Sequence, residues 1–335
     1  MGYLVSFRQA PQVCATIDDV SRVLASPRQS FEDLLQCLHV SQSEGRWDLV
    51  DEVARRAIGS IGNRSIDNFR VKDVVDLFVR ARLEGTRALE ELPGRLTTVA
   101  AELRNLAGHL APDVRMTVRE VEGLVQELIL LLNDGTVPSL VSCSRLLRRF
   151  HRPDLAVVAV EQALRRQPEN VKALNTRAAA YLDMGELGDA YADLQRSWRR
   201  ERTMYNANIL SRYWGLRGEW DEALRYAHAA DELSDGEGEG GLPSILKAAA
   251  AKGDSDLLDW AVSELAARRG GGAARGNSDW PMIVAARSLV KDRQLDTAEA
   301  IVEDVLARRD YGPAEDLKRQ IEGIRKREAT RIGGR

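Results

Sequence analysis

Cysteine is scarce in this chain. Cys14, Cys37 and Cys143 are the only three in 335 residues, and no two sit in a paired motif. An odd, scattered set argues against a disulfide framework and fits a reducing compartment. His39, His109, His151 and His228 are equally scattered, so no His/Cys spacing points to a metal, and no cofactor is expected. The longest strongly apolar run, residues 128–132, is far too short to cross a membrane. No basic stretch followed by an apolar core opens the sequence, so no secretory leader is expected and the expected location is cytoplasmic.

Catalytic signatures are missing too. There is no Gly-x-Gly-x-x-Gly, no phosphate-loop lysine pattern and no Gly-x-Ser-x-Gly. The glycine runs at 236–241 and 270–272 follow no predicted strand and read as loops. Cys143 falls at a packing position of a helix, which suits a structural thiol better than a nucleophile. Carboxylates are plentiful but fall on solvated helix faces. An enzyme is therefore not expected. The net charge is −3, and neither the part up to Asp134 nor the remainder carries a large basic excess, so neither nucleic acid nor membrane is an expected partner.

What the chain does have is a period. In residues 171–204, Leu174, Ala178 and Tyr181 recur at helical spacing, and Ala190, Leu194 and Ser197 repeat the pattern after a turn at Gly185. A small residue returns as Ala156, Ala190 and Ala223, spaced 34 and 33 apart, and the turn glycine returns as Gly185 and Gly218. Gly-Glu-Leu-Gly-Asp-Ala at 185–190 is echoed by Gly-Glu-Trp-Asp-Glu-Ala at 218–223. A lone hairpin of this kind cannot bury both faces, so it needs stacked copies.

This pattern resembles the tetratricopeptide repeat, whose period is about 34 residues. Its marker positions hold Leu174, Arg177, Ala178, Tyr181, Ala190, Leu194 and Arg202, and the family's tryptophan and proline are missing from this copy. The preceding copy supplies Pro168 and carries Leu140, Ser144, Leu147, Ala156 and Val160. The resemblance implies an all-α, right-handed superhelical solenoid over 135–335. Repeats degrade beyond Ala223, through helix pairs around Gly253 and with Ala298 at the small position, to a capping helix at 314–326.

Residues 1–134 read as an N-terminal helical region of hairpins or a bundle. Thr16 and Ser30 each precede acidic first-turn residues, the signature of a helix start. The 30–58 hairpin carries Gly45-Arg46-Trp47-Asp48, similar to Gly218-Glu219-Trp220-Asp221, and is a candidate divergent repeat. A long helix is predicted over 67–91, ended by Pro93-Gly94. Pro112 is placed to start the next helix and Gly135 to cap it.

The resemblance also implies a binding face. In that family the first helices of successive repeats line the concave side, at the second, fifth, ninth, twelfth and thirteenth residues. These positions hold Val141, Arg145, Arg148 and Arg149, then Lys172, Asn175, Ala179 and Asp183, then Tyr205, Asn208 and Arg212. Degraded copies add Lys247, Arg287 and Lys291. Asparagine offers a donor and an acceptor to a peptide backbone, and arginine grips carboxylates. The expected binding residues are Arg145, Arg148, Arg149, Lys172, Asn175, Tyr205, Asn208 and Arg212. The expected partner is a protein or peptide, in particular an acidic segment or a free C-terminus. The alternative reading is a peptide-responsive bacterial regulator whose N-terminal bundle delivers the output.

Overall fold

The computed structural model describes residues 14, 16–26, 29–61, 68–236, 238–268, 279–291, 295–308 and 312–333. These residues form α-helices and one 3-10 turn, with no strand among them, so the all-α expectation holds. Packing divides the chain into two compact units, Met1–Pro168 and Glu169–Arg335. The 134/135 boundary read from the sequence falls inside the first of these units.

The first unit contains α1 (Ile17–Ala25), α2 (Phe31–Ser43), α3 (Trp47–Ile61), α4 (Asn68–Arg82), α5 (Leu92–Ala107), α6 (Pro112–Asp134), α7 (Val137–Arg149) and α8 (Pro153–Arg166). The second contains α9 (Val171–Met184), α10 (Leu187–Arg200), α11 (Met204–Leu216), α12 (Trp220–Glu232), α13 (Leu242–Lys252), α14 (Ser255–Arg268), α15 (Asp279–Lys291), α16 (Leu295–Arg308) and α17 (Gly312–Gly333).

The helix starts follow local chemistry. Thr16 and Ser30 both make reciprocal capping boxes with the aspartate three residues on, as their sequence suggests. Pro112 occupies the first turn of α6, where its missing N–H costs nothing, and Gly135 closes that helix in the left-handed region at φ 59°.

Five hairpins close with one shared turn. The backbone N–H groups of Arg46, Arg152, Glu186, Glu219 and Asp254 donate to the carbonyls five residues back, at 2.9–3.0 Å. The residue before each donor is left-handed: Gly45, His151, Gly185, Gly218 and Gly253, with φ of 68, 54, 81, 77 and 68°. This six-to-one bond satisfies an orphan carbonyl at the helix end. The α2–α3 hairpin thus uses the same closure as the repeats, and His151 fills the role glycine has elsewhere. Ala156, Ala190, Ala223 and Ala298 are all buried, as required where two helices approach closely.

Four expectations are corrected. The helix expected over 67–91 ends at Arg82, and the chain turns through Gly85 at φ 75°. Pro93 lies in the first turn of α5, so it helps to begin a helix instead of ending one. Cys14 and Cys37 form a disulfide, their Cα atoms 5.6 Å apart, because the segment entering α1 lies against α2. Only Cys143 is left as a free thiol. Finally, α17 runs to Gly333, beyond the end expected at Lys326. The glycine run at 270–272 lies outside the described residues.

Candidate protein-interaction face

In the second unit α9 packs on α11, α11 on α13 and α13 on α15, so the first helices of successive pairs form one layer. Their partners α10, α12, α14 and α16 pack behind them, each against its own first helix. An amphipathic helix in such a layer buries one stripe and leaves the opposite stripe to solvent or to a ligand.

The predicted residues of this unit fall on that layer in different states. Lys172 is exposed and Tyr205 is half-buried. Arg212 donates to Asp183 at 2.8 Å, so two predicted face positions on neighbouring helices are tied to each other. Asn208 donates to the Gly240 carbonyl at 3.2 Å and accepts from the Ser244 hydroxyl at 3.0 Å. Its amide therefore joins α11 to α13 and to the loop before it. The expectation that Asn208 offers both groups to a partner is corrected, since intrachain bonds engage them. Asn175 is 1% exposed, and its Oδ1 accepts no hydrogen bond within the structure. A buried acceptor without a donor costs free energy. Lys247 and Arg287 are half-buried on α13 and α15, while the Lys291 side chain lies outside the described residues.

The remaining predicted residues lie on α7 of the first unit. Arg145 is exposed and Arg148 half-buried. Arg149 faces Asp76 of α4 at 3.8 Å. Burial pushes the Asp76 carboxyl up to about 6, against the opposing pull of the Arg149 charge. Asp76 Oδ1 and Arg149 Nη2 are both buried without hydrogen-bond partners.

A feature not anticipated from sequence is a cavity of about 270 Å³ in the second unit, where α11 faces α13. Asn208, Ser211, Arg212 and Gly215 form the α11 wall, at the spacing that puts them on one helical face. Ser244, Lys247 and Ala248 form the α13 wall, and Trp220, Leu265 and Ala285 close the back. A signal was present: small residues recur at 211, 215, 244 and 248 on helices that face each other. Their pairing across 33 residues only becomes visible once the helices are packed.

Burial pushes the Cys143 thiol up to about 12, which keeps it protonated and inert at neutral pH. Among the described residues no group of three His, Cys, Asp or Glu is placed to hold a metal ion. No described helix is long and apolar enough to cross a membrane.

The stacked hairpins, their shared turn and the small-residue positions define a tetratricopeptide-like helical repeat. No family model matches the sequence, and no curated protein matches it. Among solved structures, the chain is similar to MamA over 54% of its length and 96% of that chain, at 16% identity and a TM-score of 0.36. It is similar to YrrB, a TPR protein with an unusual peptide-binding site, over 56% of its length and 94% of that chain, at 16% identity and a TM-score of 0.35. Yeast Tom70 covers 95% of this chain and 85% of its own, at 11% identity and a TM-score of 0.39. Nothing about the partner of the present chain follows from likenesses of this size.

Proposed function

We propose that this chain is a non-catalytic interaction scaffold that binds an extended acidic segment, or a free C-terminus, of a protein partner. The contact residues are Lys172, Tyr205 and Arg212 in the second unit, with Asn208 holding the rim of that face through its bonds to Gly240 and Ser244. The observation that carries this reading is the α11 face, where Asn208 and Arg212 lie one turn apart on the wall of an open cavity. Cations in the rim favour a negatively charged segment, and such attraction weakens with salt.

The test is fluorescence anisotropy with a labelled twelve-residue Asp/Glu-rich peptide, as free acid and as amide, over a salt series. Binding should weaken as salt rises. Combining Lys172→Glu with Arg212→Gln should abolish it in a protein that still melts cooperatively. Because Arg212 also holds Asp183, the melt is recorded alongside. Unchanged affinity in the folded double variant would place the binding surface elsewhere.

A further inference from the structure

We infer that the Cys14–Cys37 bond is a reversible redox latch, which holds α1 on α2 when oxidised and frees α1 when a dithiol reductant opens it. The inference concerns the first unit and does not depend on the binding face of the second.

The bond closes over a weakly held helix. α1 has nine residues, too few to persist as a helix by itself. Val20 is its one buried residue, while Asp18, Ser21, Arg22 and Ala25 are exposed. It packs mainly on α2. At its far end Arg56 of α3 donates to the Leu24 carbonyl at 2.6 Å, and the Gln29 amide meets the carbonyls of Val23, Leu24 and Ser26. At its near end stand the disulfide and a bond of 3.3 Å from the Cys14 N–H to the Gln36 side chain. Of these ties, the sulfur bond is the one that a change of redox state can cut.

The neighbouring helices have supports of their own. α2 begins with the Ser30 capping box and closes on α3 through the Arg46 N–H and the Ser41 carbonyl at 2.9 Å. Leu34 and Leu38 of α2 and Val50, Val53 and Ile58 of α3 are buried. Once reduced, Cys37 would remain a small buried thiol, which behaves as a small hydrophobe. Opening the bond therefore releases α1 and leaves the α2–α3 hairpin in place.

The couple is also closed to exchange with the third cysteine. Cys143 is buried on α7, and burial keeps its thiol protonated, so it supplies no thiolate to compete.

The chemistry balances with a dithiol. One thiolate of the reductant attacks a sulfur of the pair, the S–S bond breaks, and the released cysteine leaves as a thiolate and takes a proton. The second thiol of the reductant then displaces the other cysteine and departs as a cyclic disulfide, so two electrons and two protons pass to the chain. Cys14 and Cys37 are 3% and 0% exposed, so attack waits on a local opening of α1. With the bond closed, α1 can leave only as a loop pinned at both ends. A loop with a separation of 23 residues makes that restraint worth about 100-fold in the opening equilibrium.

The test uses the full folded chain with dithiothreitol as the reductant and oxidised glutathione as the oxidant. Alkylation and mass spectrometry should find Cys14 and Cys37 joined before reduction and both labelled after it. Amide exchange over residues 17–25 should speed by about 100-fold on reduction and return on reoxidation, while exchange in α2 and α3 changes little. The Cys14→Ser, Cys37→Ser double variant should exchange at the reduced rate with or without dithiothreitol, and Cys143→Ser should switch as wild type does. The comparison of oxidised with reduced wild type stands even where a variant fails to fold. A bond that never forms, or one that resists millimolar dithiothreitol in the folded chain, would overturn the latch. Equal exchange of α1 in both states would overturn it too. Faster exchange through α2 and α3 as well would show a staple for the whole region and refute a latch on α1.

Discussion

Replacing Asp76 with asparagine should stabilise the first unit at neutral pH. The carboxyl is 8% exposed, and burial pushes it from the ordinary 3.8 to about 6. Arg149 and Lys72 oppose that rise and Asp73 adds to it, and burial outweighs them. A raised acid is favoured in its protonated form by the fold. Its stabilising effect is fully present below about pH 3.8 and is lost as the pH rises through about 6. A rise of this size corresponds to about 3 kcal/mol. Asparagine keeps the shape of the protonated acid and carries no charge at any pH. The variant should therefore match wild type near pH 4 and exceed it by about 1–3 kcal/mol at pH 8. Arg149 loses its partner in this change, yet its side chain is 32% exposed and reaches water, so that loss is small. The assay is urea-dependent hydrogen exchange read on peptides from α4 and α7 between pH 4.5 and 8, which isolates the first unit from the second. A variant less stable than wild type at pH 8, or a difference that does not change with pH, would mean that the ion pair and not burial governs Asp76.

Three further predictions test the packing. Ala190→Leu inserts three carbons where α9 and α10 pack closely, and should cost about 1–3 kcal/mol in thermal or urea unfolding; no loss would show the repeat register to be misassigned. Arg152 is 3% exposed and donates to the carbonyls of Leu83 and Thr86 while pairing with Asp154. Arg152→Met should leave those carbonyls unmet and cost about 2–4 kcal/mol in urea unfolding, and a neutral result would refute that role. Cys14→Ser opens a covalent loop spanning a separation of 23 residues, which should speed amide exchange in α1 by an amount corresponding to about 3 kcal/mol; unchanged exchange would show that α1 is held by its packing on α2 alone.

Much of the architecture was legible because its causes are local. A capping box needs residues three apart, and a helix stripe needs residues three and four apart, so Thr16, Ser30 and the 171–204 hairpin could be read directly. The turn was legible at Gly185 and Gly218, where glycine is the residue that takes a positive φ cheaply. It was not legible at His151, a non-glycine residue that adopts the same conformation with φ 54°. Pro93 was misread for a related reason: proline is equally compatible with the end of one helix and the first turn of the next, and only the position of α5 decides.

The sequence by itself determined the all-α class, the 33- to 34-residue repeat and the pairing of its helices into hairpins. All of these follow from spacings of a few residues or from a period that those spacings repeat. Tertiary structure alone decided what the face residues do. Arg212 meets Asp183 across 29 residues, Asn208 meets Ser244 across 36, and Cys14 meets Cys37 across 23. The Asp76 carboxyl is perturbed because packing removes its water, a property no neighbour in sequence supplies. The cavity exists because small residues on two separate helices are brought opposite one another. Distance and desolvation are set by how helices stack, so they enter only with the fold.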